Sequence, residues 1–188
     1  MYALIGKRLV DLAGSAVGLI VLSPLWLLTS VLIWLEDRGP VLYRQPRLGR
    51  HGTMFTVLKF RSMPVNARSV ASIDATALPV TRVGRVIRRT NIDELPQLLN
   101  VLRGDMSLVG PRPALPSQHG LIAARKLTRA ADVRPGLTGL AQLRAFDGMS
   151  EADKAGHDGE YAERITLLGD VGILVRTINY LRKPPPTY

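Results

Sequence analysis

The stretch LAGSAVGLIVLSPLWLLTSVLIWL, Leu12 to Leu35, runs for 24 residues without a charge. A helix needs ~20 apolar residues to cross a bilayer, so this run is long enough to enter one. It is too long for the apolar region of a secretory signal, and no small-residue cleavage pattern follows it. A buried core helix is the alternative. Ser23-Pro24 interrupts the run. Proline lacks the N–H that would bond the Ile20 carbonyl, so a kink is expected there. The Ser23 hydroxyl can satisfy a freed carbonyl in the preceding turn, where water is absent. Lys7 and Arg8 precede the run; Arg38, Arg44, Arg47 and Arg50 follow it. Both ends therefore favour the cytoplasmic side. A straight span would place one basic cluster on the wrong side. A helix that enters, breaks at Ser23-Pro24 and leaves by the same face satisfies both. The expectation is a re-entrant helix-break-helix over residues 1–36, with residues 37–188 forming a domain on the cytosolic face. A slightly kinked straight span is the competing reading.

At 188 residues the chain suits a domain with a sizeable core. It contains no cysteine, which excludes a disulfide framework and a thiolate zinc site. His51, His119 and His157 lie far apart and make no HExxH-like pair, so a histidine metal site is not expected. The formal charge of +10 favours an anionic partner.

GPVLYRQPRLGRHGTMFTVLKFRSM reads as two short strands, about Val41–Arg44 and Met54–Phe60, joined by a turn near Gly49–Gly52. By alternation Lys59 and Arg61 share one face, with Leu58 and Phe60 on the other. Two cations on one face can clamp a phosphate; a solvated face is the alternative. Residues Val65–Pro79 are small and polar and suggest a surface loop, a short helix or a lid. Arg82, Arg85 and Arg89 then recur at helical spacing and can form a basic face. Only 5% of the chain is aromatic, and no aromatic lies between residues 61 and 145. Single-stranded nucleic-acid sites interleave aromatics with cations, so phosphate or lipid headgroup is favoured over nucleic acid.

In RRTNIDELPQLLNVLRGDMSLVGPRP, Asp93 and Glu94 stand side by side within a basic region. Asn91 and Glu94 have the spacing of a capping box. Leu95, Leu98, Leu99 and Leu102 have the spacing of a helix with one buried face. An ordinary helix start therefore explains the two acids. A second reading uses the same geometry. A helix N-terminus attracts phosphate oxygens, a carboxylate there can act as a nucleophile, and its neighbour can hold a divalent cation. Mg²⁺ suits oxygen ligands and a phosphate partner. Arg112, between two prolines, is stiffly held and suits a bidentate phosphate contact. VRPGLTGLAQ adds a Gly/Pro loop whose Arg134 and Thr138 could line a pocket.

These blocks, in this order, resemble a monotopic phosphoglycosyl transferase of the bacterial sugar transferase family, of the small type with little beyond the catalytic domain. The most specific segments are KFRSM, DELPQLLNVLRGDMSLVGPRP and RPGLTGLAQ; Ser23-Pro24, Lys7-Arg8 with Asp11, and DGEYAERITLLGDVGILVRTI also match. The resemblance implies transfer of a phosphosugar from a UDP-sugar to undecaprenyl phosphate at the cytoplasmic face of the bacterial inner membrane. UMP is released, the reaction passes through a covalent intermediate, and Mg²⁺ is required. It implies Asp93 as nucleophile, with Glu94 binding Mg²⁺, positioning Asp93 or handling a proton. It places Lys59, Arg88 and Arg112 at the substrate phosphates and Asp170 at the edge of the site, with Asp158 a weaker candidate. Ser23 and Pro24 match the break of the re-entrant helix, and Lys7 and Arg8 its basic interface end. A homodimer is left open. Small members suggest an N-acetylated amino sugar, with some sugar contacts from Leu143–Gly156.

In ITLLGDVGILVRTINYLRK, Leu168, Val171, Leu174, Val175, Ile178 and Leu181 have helical spacing. Such a helix can lie in the membrane interface or pack on the core. Pro184-Pro185-Pro186 ends it. The expected fold is thus a small α/β membrane-associated domain with a re-entrant N-terminal helix, a short β-hairpin and interfacial amphipathic helices. It is not a Rossmann fold, since no GxGxxG follows a strand. A basic membrane-surface scaffold that binds anionic lipid or a partner protein without catalysis is the alternative function. Such a scaffold gains nothing from adjacent acids in a basic pocket.

Overall fold

The computed structural model describes residues 2–65, 79–144 and 149–181. Apart from its first and last residues, the expected loop or lid Val65–Pro79 lies outside them. So do Pro184–Pro186 and the middle of the Leu143–Gly156 segment. In chain order the elements are α1 (Lys7–Val21), α2 (Ser23–Asp37), β1 (Leu42–Leu48), β2 (Met54–Phe60), α3 (Arg82–Arg89), α4 (Gln97–Arg103), β3 (Ser107–Val109), α5 (His119–Lys126), β4 (Gly136–Thr138), α6 (Leu140–Arg144), α7 (Glu151–Glu163) and α8 (Leu167–Leu181). The result is a mixed α/β chain with two small two-stranded sheets among the described residues.

The break falls where proline demands it. α1 and α2 are bent by 61° at Leu22, with Pro24 in the first turn of α2. The Ser23 hydroxyl donates to the Ile20 carbonyl at 2.8 Å, as expected for a carbonyl freed by the proline. Among the described residues no single helix is long and apolar enough to cross a membrane, but the bent pair together meets that requirement. Leu9, Val17, Ile20, Val21, Leu27 and Leu28 are each more than half exposed. A contiguous apolar surface of this kind needs lipid or protein cover.

Lys7 and Arg8 do not form a free basic end. Lys7 pairs with Asp170 at 2.8 Å. Arg8 donates to the Val101 and Leu102 carbonyls at 2.6 and 2.9 Å, at the C-terminus of α4. The Val101 carbonyl also accepts from the Gly104 N–H at 3.1 Å, and a cation there meets the negative end of the helix dipole. The sequence shows these two charges but not their long-range partners.

The β1–β2 hairpin is antiparallel and pairs Tyr43 with Lys59, Gln45 with Val57 and Arg47 with Phe55. Its first strand is longer than expected because Pro46 is tolerated on an edge strand. β2 is covered on its other edge by a side chain. Asn100 of α4, fully buried, accepts from the Leu58 N–H at 3.0 Å and donates to the Thr56 carbonyl at 2.8 Å. One amide thus satisfies a backbone donor and acceptor and docks α4 on the strand. Phe60 packs with Ile33 and Ile87, joining β2 to α2 and α3. Val57 packs on the opposite side with Val101 and Met106.

β3 and β4 pair in parallel. Gly110 donates to Thr138 and Gly136 donates to Pro111, each at 2.8 Å. A Cβ on Gly136 would stand 2.1 Å from the Gly110 nitrogen, so this close approach requires glycine. The GPRP and RPGLTG segments are therefore two halves of one backbone pairing. Arg134 and Thr138 serve this framework. Arg134 donates to the Gly104 carbonyl at 2.9 Å, and the Thr138 hydroxyl lies 2.7 Å from that of Thr177. On α8, Asp170 and Ile173 are buried, whereas Leu168, Val171, Val175 and Ile178 present an exposed apolar stripe.

Candidate active site

Asn91 does not start the helix. It adopts a left-handed conformation with φ 55°, its side chain makes no cap, and its N–H donates to the Arg88 carbonyl. It terminates α3, a role asparagine fills in place of glycine. Ile92–Glu94 form one 3-10 turn, and α4 begins only at Gln97, after Pro96. No capping box forms. The Glu94 side chain is released to turn toward β2 and the GPRP segment.

There it meets two cations. Glu94 Oε1 accepts from Lys59 Nζ at 2.8 Å and from the Arg112 guanidinium at 2.6 Å. Its second oxygen is 3.4 Å from Arg112. Burial alone would raise the Glu94 carboxyl; Arg112 and Lys59 override that and hold it below the usual carboxylate range. Asp93 is placed differently. Burial raises its carboxyl and the adjacent Glu94 charge adds to this, while Lys59, Arg88 and Arg112 oppose it. Among the described residues its carboxylate makes no hydrogen bond. Arg88, on the last turn of α3, is oriented by a 2.8 Å hydrogen bond from its Nε to the Ser62 hydroxyl. The site thus gathers an ionised, held glutamate, an unbonded aspartate and cations from β2, α3 and the GPRP segment.

Of the residues expected from sequence, Lys59, Arg88, Asp93, Glu94 and Arg112 come together. Arg61 does not join them. It forms a bidentate pair with Asp37, with one contact at 2.8 Å, and ties the end of β2 to the end of α2. Asp170 is likewise held elsewhere. It is buried and accepts from Tyr2 at 2.6 Å, Lys7 at 2.8 Å and Tyr161 at 2.9 Å, joining the N-terminal segment to α7 and α8. Asp158 pairs with Arg125, whose guanidinium also donates to the Arg112 carbonyl at 2.9 Å. Sequence reasoning missed Arg47, which lines the hollow beside Lys59 and Arg112 and donates to the Pro113 carbonyl at 3.0 Å. Burial, with Arg112 nearby, lowers its guanidinium to about 10. Hairpin register was the available signal, since Arg47 shares a face with Gln45, Tyr43 and Lys59.

Among the described residues no group of three or more acids and histidines could cage a metal. Mg²⁺ does not require one: it often takes one or two carboxylates and completes its shell with phosphate and water. Asp93 fits that mode, with the second Glu94 oxygen, which Arg112 approaches at 3.4 Å, as a further ligand.

A cationic hollow beside adjacent carboxylates, on a chain with a bent apolar helix pair, suits an enzyme for anionic substrates. The chain belongs to the bacterial sugar transferase family, which it matches over residues 2–183. It is 43% identical to a UDP-glucose:undecaprenyl-phosphate glucose-1-phosphate transferase of Caulobacter vibrioides, over 92% of this chain and 68% of that protein. It is 41% identical to a UDP-N-acetylgalactosamine-undecaprenyl-phosphate N-acetylgalactosaminephosphotransferase of Aeromonas hydrophila, over 95% of this chain and 44% of that protein. The exopolysaccharide production protein ExoY of Rhizobium meliloti is 36% identical, over 92% of this chain and 83% of that protein.

Proposed function

We propose that this chain transfers a sugar-1-phosphate from a UDP-sugar to undecaprenyl phosphate through a covalent intermediate on Asp93. The enzyme class, an undecaprenyl-phosphate sugar phosphotransferase, follows from homology. The observation that carries the mechanism is the contrast within the acid pair. Glu94 is held by Lys59 and Arg112, whereas among the described residues the Asp93 carboxylate makes no hydrogen bond.

In the first step an Asp93 oxygen forms a bond to the β-phosphorus of the UDP-sugar. The bond from that phosphorus to the bridging oxygen breaks, and UMP leaves. In the second, an oxygen of undecaprenyl phosphate attacks the same phosphorus. This frees the Asp93 carboxylate and yields undecaprenyl-diphosphate-sugar. Splitting the displacement lets one site serve two anionic substrates in turn. Lys59, Arg88 and Arg112 hold the diphosphate and stabilise charge on the leaving phosphate. Glu94 keeps Lys59 and Arg112 in position before substrate arrives, which reduces reorganisation. Mg²⁺ held by Asp93 and Glu94 would supply further neutralisation of the diphosphate. The bent α1–α2 pair enters the cytoplasmic face of the membrane and returns to it, leaving the site at headgroup depth.

Relatives at comparable identity are named for glucose, N-acetylgalactosamine and galactose. A panel of UDP-sugars, including N-acetylated ones, should therefore be screened for UMP release with undecaprenyl phosphate in detergent. With the active sugar, intact-protein mass should rise by one phosphosugar, and Asp93→Asn should abolish both adduct and UMP. Turnover retained by Asp93→Asn would overturn the covalent mechanism.

A further inference from the structure

Two buried amides on α4 stand in contrast. Gln97 and Asn100 lie three residues apart, so they share one face of the helix. Asn100 has its partners in the Leu58 N–H and the Thr56 carbonyl. Gln97 is only 3% exposed, yet among the described residues its side chain makes no hydrogen bond. A buried amide left unpaired costs stability, whereas an apolar side chain of the same shape would not. Its presence calls for a partner that arrives from outside.

That partner can enter the hollow beside the acid pair. Gln97 lines it together with Arg47, Val57, Lys59, Arg112 and Pro113. The cavity volume is about 10 Å³, room for one water-sized group. Lysine and arginine only donate hydrogen bonds, and the Pro113 carbonyl already accepts from Arg47. Among the described residues that line the hollow, Gln97 is the one whose side chain can also accept. A phosphate oxygen only accepts and is better served by the cations. An amide set among them selects a group that has a hydrogen to give.

We infer that Gln97 reads the transferred sugar through one of its hydroxyls, or through the N–H of an N-acetyl group in its place, an assignment that deepens the transferase reading and rests on it. In that reading UMP departs and undecaprenyl phosphate takes over its position, so contacts made there must be released in mid-reaction. The sugar stays beside the acid pair through both steps. A narrow, pre-formed pocket for one polar group suits the moiety that stays. A sugar without that donor would leave the buried amide unpaired, which makes the discrimination steep.

The full chain in detergent would be assayed for UMP release at saturating undecaprenyl phosphate. The substrate is whichever of UDP-glucose, UDP-galactose and UDP-N-acetylgalactosamine it turns over fastest. Analogues lacking one sugar hydroxyl, or the N-acetyl group, form the comparison series. Gln97→Met should lower kcat/KM for the parent UDP-sugar at least about tenfold. With one analogue wild type should fall by a similar factor, and there the variant should lose nothing more. The Tm of Gln97→Met should equal or exceed that of wild type, since no unpaired amide is buried. A loss of the same size with every analogue would make Gln97 part of the framework only and overturn the inference. Wild type that accepts every analogue equally would overturn it whatever the variant does. A KI for UMP raised by the same factor in Gln97→Met would put the contact on the nucleotide and overturn the sugar assignment. In each of these cases wild type still releases UMP, so the transferase reading survives. No UMP release by wild type with any of the three UDP-sugars would overturn that reading and this inference with it.

Discussion

Asp93 and Glu94 are adjacent in sequence and opposite in electrostatic circumstance. Burial raises the Asp93 carboxyl, and Glu94 adds to the effect. Arg112 and Lys59 override burial at Glu94 and keep it ionised. Because nucleophilic attack needs ionised Asp93, adduct formation should increase with pH through a midpoint above the ordinary aspartate value. Glu94→Gln removes the neighbouring negative charge and leaves Lys59 and Arg112 facing Asp93. The midpoint should then move down even as the maximal rate falls. Single-turnover adduct formation, followed by intact mass against pH, measures both; an upward or unchanged midpoint would contradict this assignment. Lys59→Met should slow turnover by about 10²-fold, the scale for losing one preorganised charge contact. The acid pair was legible in the sequence, but Glu94's role as a cap was not correct. The Asn91–Glu94 spacing matched a capping box, yet Asn91 was needed to end α3 in a left-handed turn. Spacing alone cannot tell the end of one helix from the start of the next when both use asparagine.

Beside the apolar clusters, single polar side chains fix the elements around the site. Asn100 fastens α4 to β2, and Asn100→Leu would leave a buried N–H and a buried carbonyl without partners. A loss of roughly 2–4 kcal/mol, read by thermal or urea unfolding in detergent, is expected. Arg125 links α7 to the GPRP segment, through Asp158 on one side and the Arg112 carbonyl on the other. Arg125→Ala would strand a buried carboxylate at a cost of about 3–5 kcal/mol. Adding Asp158→Ala should restore much of that stability, yet KM for the UDP-sugar should stay raised, because the Arg112 carbonyl still lacks its hydrogen bond from Arg125. Recovery of KM together with stability would show that Arg125 is structural only. The hairpin was legible from its alternation, although Pro46 hid the length of β1. Arg61 was misread because alternation gives a face and not a partner; its partner, Asp37, comes from the preceding helix. The parallel pairing of β3 with β4 was not legible, since three-residue strands carry no usable period.

At the scale of the whole molecule, the bend at Ser23-Pro24 decides where the chain can go. Pro24→Leu restores a backbone donor and should straighten the pair. Cysteines introduced one at a time near residues 8 and 38 of the cysteine-free chain, tested with an impermeant thiol reagent in spheroplasts, should both be protected in the parent. In Pro24→Leu one should become reactive. The apolar run and its break were readable because both are local. The use of Lys7 and Arg8 was not, because their partners lie 163 and about 93 residues away. The same feature has a consequence for biogenesis. Asp11, buried on α1, accepts from the Ser107 hydroxyl and the Leu108 N–H, 96 and 97 residues later. At ~5–20 residues per second, translation reaches those donors roughly 5–20 s after Asp11 is made. During that interval the nascent helix carries a carboxylate that cannot be buried dry. The first helix should therefore rest shallowly at the lipid surface and sink to its final depth only after β3 emerges, so that full insertion follows the synthesis of more than half the chain.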